Sequence, residues 1–247
     1  FEDGYGADIL SGDAGDDVFD LGSFLRSEDF LGDTVDGGTG FDRVSYAYSD
    51  LGVLIDLTTP TANAGAARGD RLTSIEHVEG TAYDDRLLGS AGNDSFDGGR
   101  NDDVIHGRAG DDVLRGGGGS DSLTGGAGND SFVLERDDAW LDYDTYWPHD
   151  IVTDFVRGQD ELAILESEFG VDQFTFRLLN QTTEVVAAGG RAFVFETDSG
   201  RLWFDEDGAG RDLDGDGSVD ENLDAILVAT LDGIATLSAA DFGFYDL

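Results

Sequence analysis

A nine-residue period governs the middle of this chain, and no other feature restricts its fold so tightly. From Gly80 the sequence divides every nine residues into GTAYDDRLL, GSAGNDSFD, GGRNDDVIH, GRAGDDVLR, GGGGSDSLT and GGAGNDSFV. The sixth position is always aspartate (Asp85, Asp94, Asp103, Asp112, Asp121, Asp130). The eighth is always large and apolar (Leu87, Phe96, Ile105, Leu114, Leu123, Phe132). A disordered Gly/Asp-rich linker would not hold both residues in phase. Units this short bury too little surface alone, so they stack and complete one another's core. The leading glycines support a six-residue turn, and the last three residues form a short strand with one inward apolar side chain. Two repeats make one coil. The expected fold is all-β: a parallel β-roll solenoid with a β-rich region closing its C-terminal end.

Glycine also frees the turn to point its carbonyls inward, so each turn becomes a ring of oxygens carrying one aspartate. Calcium is a hard cation that takes six to eight oxygen ligands, and carbonyls plus carboxylates from neighbouring turns can supply them. The expected ligands are the six aspartates together with the turns led by Gly89, Gly98, Gly107, Gly116 and Gly125. Turns alternate between two edges of the roll, which pairs Asp85 with Asp103, Asp103 with Asp121, Asp94 with Asp112, and Asp112 with Asp130. Broken repeats occur earlier. DGYGADILS, GDAGDDVFD and GGTGFDRVS carry Asp8, Asp17 and Asp42 at the sixth position, and a degenerate GDTVD offers Asp33. The expected pairs there are Asp8 with Asp33 and Asp17 with Asp42, with residues 21–31 as an insertion. The chain thus divides into degenerate repeats (1–45), metal-free coils built on VSYAYS, GVLIDLT and LTSIEHVEG (46–79), six full repeats (80–135), and a β-rich cap (136–247).

The repeats resemble those of RTX proteins, hemolysin-type calcium-binding bacterial proteins exported in one step by type I secretion. The likeness extends further. HDIVTDFVRGQDELAI resembles the segment that follows the β-roll in serralysin-type proteases and alginate epimerases, and RLWFDEDGAG and ILVATLDGIATLSAADFGF resemble the terminal strands and secretion-signal region. The resemblance implies a secreted, extracellular or cell-surface location, contact with the type I secretion machinery, and a chain exported unfolded that folds on meeting calcium outside the cell.

Charge agrees with this picture. Asp and Glu number 54 against 14 basic residues, every one of them Arg, giving a net charge of −40. Phosphate neutralisation needs the opposite sign, so nucleic acid is excluded as a partner. About four ions in the full repeats, about two in the first block and about one downstream would leave a net charge of about −26. No cysteine is present, so disulfides play no part. No apolar run reaches membrane-spanning length and no N-terminal signal peptide is visible. The chain opens at Phe1 inside a repeat, the expectation being that it belongs to something longer.

A second metal signal lies in DLDGDGSVDE. Asp212, Asp214, Asp216, Ser218 and Asp220 fall on positions 1, 3, 5, 7 and 9 of an EF-hand-type loop, with Gly217 at position 6. Position 12 is Leu223, where a bidentate glutamate belongs, so the alternative is a solvated acidic turn. Trp140, Tyr143, Tyr146 and Trp147 form either the hydrophobic cluster of the cap or a carbohydrate-stacking platform. EVVAAGG, RAFVFET and RLWFDED read as a β-meander turning at Gly189 and Ser199-Gly200.

His77, His106 and His149 sit in unrelated contexts, and no H-E-x-x-H, G-x-S-x-G or phosphate-loop motif is present. No catalytic activity is therefore expected within these residues. The function expected is a calcium-dependent folding and export module. Two alternatives stay open: a surface-layer, filament or adhesin segment that binds its own copies, a cell surface or a polysaccharide, and the tail of a secreted hydrolase or polysaccharide-modifying enzyme.

Overall fold

Apolar side chains at a fixed position of every coil stack into columns, and these columns define the molecule. The computed structural model describes residues 6–22, 32–135, 149–165, 177–179, 192–196, 200–205, 225–234, 237 and 241–245. One wall is a parallel eight-stranded sheet, ordered Val18–Asp20, Arg43–Ser45, His77–Thr81, Ser95–Arg100, Val113–Gly118, Ser131–Leu134, Glu161–Leu165 and Phe242–Tyr245. Its inward column runs Phe19, Val44, Val78, Phe96, Leu114, Phe132 and Leu162, each paired in register with the next. The facing wall runs in parallel through Val53–Asp56, Arg86–Leu88, Val104–Ala109, Ser122–Ala127, Asp150–Val152 and Ala225–Leu231. Its column is Ile55, Leu87, Ile105, Leu123, Val152 and Leu231. Every member of both columns is buried, and each stabilises the roll by roughly 1.5–3 kcal/mol.

Upstream, a small parallel sheet of Ile9–Ser11, Thr34–Asp36 and Arg71–Thr73 takes the place of the second wall. At the C-terminal end an antiparallel hairpin, Ala192–Glu196 with Arg201–Asp205, joins that wall through Ala225–Leu231. Gly200, at φ +71°, makes its turn. Among the described residues no helix is long and apolar enough to cross a membrane.

Two features differ from the sequence reading. Four strands of the repeat block, such as Ser95–Arg100, are six residues long rather than three. Pairing between coils continues through the leading glycines, as in Gly99 with Gly117, because the absence of side chains there lets the backbones stay in contact. The parallel ladder also runs on past Glu135. Asp150–Val152 and Glu161–Leu165 pair with the last repeats exactly as those pair with each other, which extends the roll into the segment assigned to the cap.

Candidate metal sites along the two edges

The repeat aspartates stand at the end of each turn, immediately before a strand, where the backbone of one coil meets the side chain of the next. On the edge leading from the first wall to the second, the Asp85 N–H donates to Asp103 Oδ1 (2.7 Å), Asp103 N–H to Asp121 Oδ1 (2.7 Å), and Asp121 N–H to Asp150 Oδ1 (3.1 Å). On the return edge, Asp94 donates to Asp112 (2.8 Å), Asp112 to Asp130 (3.0 Å), and Asp130 to Asp160 (3.1 Å). The early repeats use the same bond, from Asp8 to Asp33 (2.7 Å) and from Asp17 to Asp42 (2.9 Å). Each carboxylate thus commits one oxygen to holding its neighbour's backbone. The second oxygens of Asp17, Asp42, Asp103, Asp112 and Asp130 are buried and accept no hydrogen bond, an expensive state for a charged atom.

Beside each of those oxygens lies a leading glycine. A methyl group on Gly98 would collide with Asp103 Oδ2 and with the Gly116 carbonyl oxygen of the next coil; one on Gly107 would meet Asp112 Oδ2 and the Gly125 carbonyl. Gly116 and Gly125 crowd Asp121 Oδ2 and Asp130 Oδ2 in the same manner, and Gly89 meets Asp94 Oδ2 and the Gly107 carbonyl. Carboxylate and carbonyl oxygens therefore converge on the open flank of Gly89, Gly98 and Gly107. Among the described residues no three acidic or histidine side chains converge on one point, so a cation here would be held by mixed carboxylate and carbonyl oxygens. That donor set is what a hard divalent ion requires. The spatial arrangement fits it.

The family model of the RTX calcium-binding nonapeptide repeat, in four copies, matches residues 1–24, 74–105 and 97–132. These are RTX repeats. Among solved structures, the roll is similar to a subunit of the mannuronan C5-epimerase of Azotobacter vinelandii, determined in solution. The two are 29% identical, the match covers 65% of this chain and 78% of that one, and the TM-score is 0.40. No curated protein matches the chain.

The RTX roll contains acidic positions that the sequence reading missed. Asp150 and Asp160 prolong the two ladders beyond the repeats. Their signal was present in the sequence, since Asp150-Ile151-Val152 and Asp160-Glu161-Leu162 keep the aspartate two residues before the buried apolar one. Upstream, Asp70 and Glu76 accept the N–H groups of Asp33 and Asp42 (2.9 Å each). The second Asp70 oxygen is taken by the Tyr46 hydroxyl (2.7 Å). Nor are the carboxylates of the first full coil open. Asp85 Oδ2 accepts the Thr81 N–H (2.5 Å), Asp94 Oδ2 accepts the Ser90 N–H (2.6 Å), and the Gly89 carbonyl is held by Arg108. A further ladder sits outside the first, where Asp111 N–H donates to Asn93 Oδ1 and Asn129 N–H to Asp111 Oδ1. Asp212, Asp214, Asp216, Ser218 and Asp220 lie outside the described residues, as does the Trp140 to Trp147 cluster.

Packing carboxylates of the RTX roll this closely moves their protonation. Burial, helped by the charges of Asp121, Asp85 and Asp84, pushes Asp103 up to about 9. Burial and the charges of Asp94, Asp130 and Asp111 push Asp112 up to about 6. A pKa raised in the folded state gives stability that is fully present below the unfolded value near 3.9 and is lost as pH rises through the folded value. The metal-free roll is therefore favoured by acid. Protons would compete with a calcium ion held by these oxygens, so for such a site the calcium midpoint is expected to rise about tenfold or more from pH 7.5 to 5.5. In calcium-depleted buffer the chain should show more β-structure at pH 5.5 than at 7.5. Circular dichroism at the two pH values checks both, and an unmoved calcium midpoint would contradict the shared-oxygen account.

Proposed function

We propose that this chain is the calcium-binding module of a secreted bacterial RTX protein, which is exported by type I secretion and folds as its coils take up calcium outside the cell. The observation that carries this reading is the row of buried, unbonded carboxylate oxygens on Asp103, Asp112 and Asp130, each beside a glycine, with a facing carbonyl of the next coil at Gly98 and Gly107. A calcium ion supplies two positive charges and six to eight ligand positions. The chain supplies the rest. Asp103 and Asp121 on one edge, and Asp112 and Asp130 on the other, present carboxylates. Gly98 and Gly107 admit the carbonyls of the following coil, and Gly116 and Gly125 leave room for the carboxylates of Asp121 and Asp130. Asp85 and Asp94 bound this set upstream through the bonds that their N–H groups make to Asp103 and Asp112, with the Gly89 carbonyl held by Arg108; Asp8, Asp17, Asp33 and Asp42 serve the early coils, and the loop at Asp212 to Asp220 holds one further ion. The complement is about six or seven ions, by the reasoning of one ion between successive turns.

Without such ions, turns of like charge repel, and a net charge of −40 opposes compaction along the whole chain. That suits passage through a secretion channel as an extended chain, with folding deferred to a calcium-rich exterior.

Calcium titration by calorimetry, with mass followed by light scattering, tests the reading. Saturable uptake of several ions by a chain that stays monomeric is expected. Asp112→Asn keeps an oxygen for the Asp94 N–H but loses the second, and should bind at least one ion fewer. Absence of calcium uptake would end the proposal, and a mass that climbs with calcium would favour a self-associating surface or filament protein.

A further inference from the structure

Arg108 stands at the second position of its repeat, which glycine fills in three of the six full repeats and Thr81 and Ser90 fill in the first two. The glycines at that position, Gly99, Gly117 and Gly126, have φ of +108°, +96° and +106°; Arg108 adopts +79°, a region that side chains avoid and that Asp13, second in an early repeat, also enters at +65°. A residue placed under that strain needs an offsetting interaction, and the guanidinium has several. It grips the Asp56 carboxylate with both ends, NH1 to Oδ1 (2.9 Å) and NH2 to Oδ2 (2.8 Å). NH1 also lies 2.7 Å from Thr58 Oγ1 and 2.6 Å from the Gly89 carbonyl oxygen. Asp56 pairs with Leu88 in register, so the turn at 56–59 stands on the return edge one coil above the turn at 89–94.

The acceptors are therefore a carboxylate, a hydroxyl and a leading-glycine carbonyl from two successive turns, which is an oxygen set of the kind offered to calcium further down. Here it surrounds an arginine. Asp94, the aspartate of the lower turn, has its second oxygen closed by the Ser90 N–H. Bidentate geometry suits guanidinium to this task in a way that a lysine ammonium could not match.

We propose that Arg108 is a resident cation of the return edge, binding turn 56–59 to turn 89–94 in place of a metal ion. It follows that this junction holds at calcium levels at which the turns below it open. The inference rests on the calcium reading of those lower turns.

Hydrogen exchange on the full chain across a calcium titration tests it. The Leu57 amide, bonded to the Leu88 carbonyl at 3.0 Å, reports the junction; the Ser122 and Ser131 amides, bonded to Asp103 and Asp112, report the lower ladder. In the wild type, Leu57 should stay protected at calcium concentrations where Ser122 and Ser131 exchange. In Arg108→Gly, at saturating calcium, Leu57 should exchange about tenfold faster or more while Ser122 and Ser131 are unchanged. Asp56→Asn, which leaves the backbone at 108 untouched, should act in the same direction. Because glycine relieves the left-handed strain, a merely tolerated arginine would give equal or slower exchange in Arg108→Gly, which overturns the proposal. So would a single common calcium midpoint for all three amides in the wild type. A ladder that ignores calcium in every variant sinks the calcium reading itself, whereas a responsive ladder with an unaltered Leu57 in Arg108→Gly sinks only the role of Arg108.

Discussion

Moving the chain from millimolar calcium into a chelator at pH 7.5 is expected to lower its Tm by about 20 °C or more, or to abolish the transition. Buried carboxylate oxygens without hydrogen bonds stand on Asp17, Asp42, Asp103, Asp112 and Asp130. A buried charge stripped of its partner costs several kcal/mol. An ion at a thousand times its dissociation constant contributes roughly 4 kcal/mol per site, so three sites already equal the roughly 5–15 kcal/mol that holds an ordinary domain together. The columns of apolar side chains oppose unfolding, but they bring only one fully inward residue per nine. Differential scanning calorimetry in calcium and in chelator decides the matter, and matching transitions would show that the columns alone suffice.

Leu114→Ala should be the most damaging single change in the core, costing about 3 kcal/mol or more. Leu114 is fully buried and stacked in register between Phe96 and Phe132, themselves at most 1% exposed. Their rings are anchored by their own strands, so the space left by the missing methyls cannot collapse, and a residual cavity adds to the lost transfer energy. Val113→Ala, one residue away on the outward face, should cost under about 1 kcal/mol. Guanidinium denaturation at saturating calcium compares the two. Equal costs would mean that the column does not carry the stability assigned to it.

The columns and the juxtaposition of aspartates two repeats apart were legible because they depend on a period. Asp and apolar residue recur at fixed spacing, and a solenoid converts sequence spacing directly into spatial register. Legibility failed where spacing changed. Asp121 meets Asp150 across 29 residues and Asp130 meets Asp160 across 30, against 18 within the block. Extra chain between them hides a repeat whose geometry is intact. Upstream the distances are 25, 37 and 34 residues, for the same reason. Arg108 was illegible on other grounds. Its partner Asp56 is 52 residues away, and nothing local to GRAGDDVLR says that the side chain reaches across two coils. The division of each carboxylate into one oxygen for the backbone and one left over was equally hidden, since position alone cannot tell which acceptor an aspartate will find.

The carboxylate-to-amide bond recurs once per coil on each edge of the roll, and each such bond joins a coil to the one beside it. Pulled from its ends, such a stack behaves as a row of latches in series, with the Arg108–Asp56 link as a longer tie spanning two coils. A coil that lets go would release about 60 Å of chain, eighteen residues at the extended length, and present the next latch unchanged. Coils of the repeat block would peel off in near-equal steps and snap back from the same end. A polymer of this design stores extension in discrete, reversible portions, and its resistance to stretching rises and falls with the number of latches loaded by the ions around it.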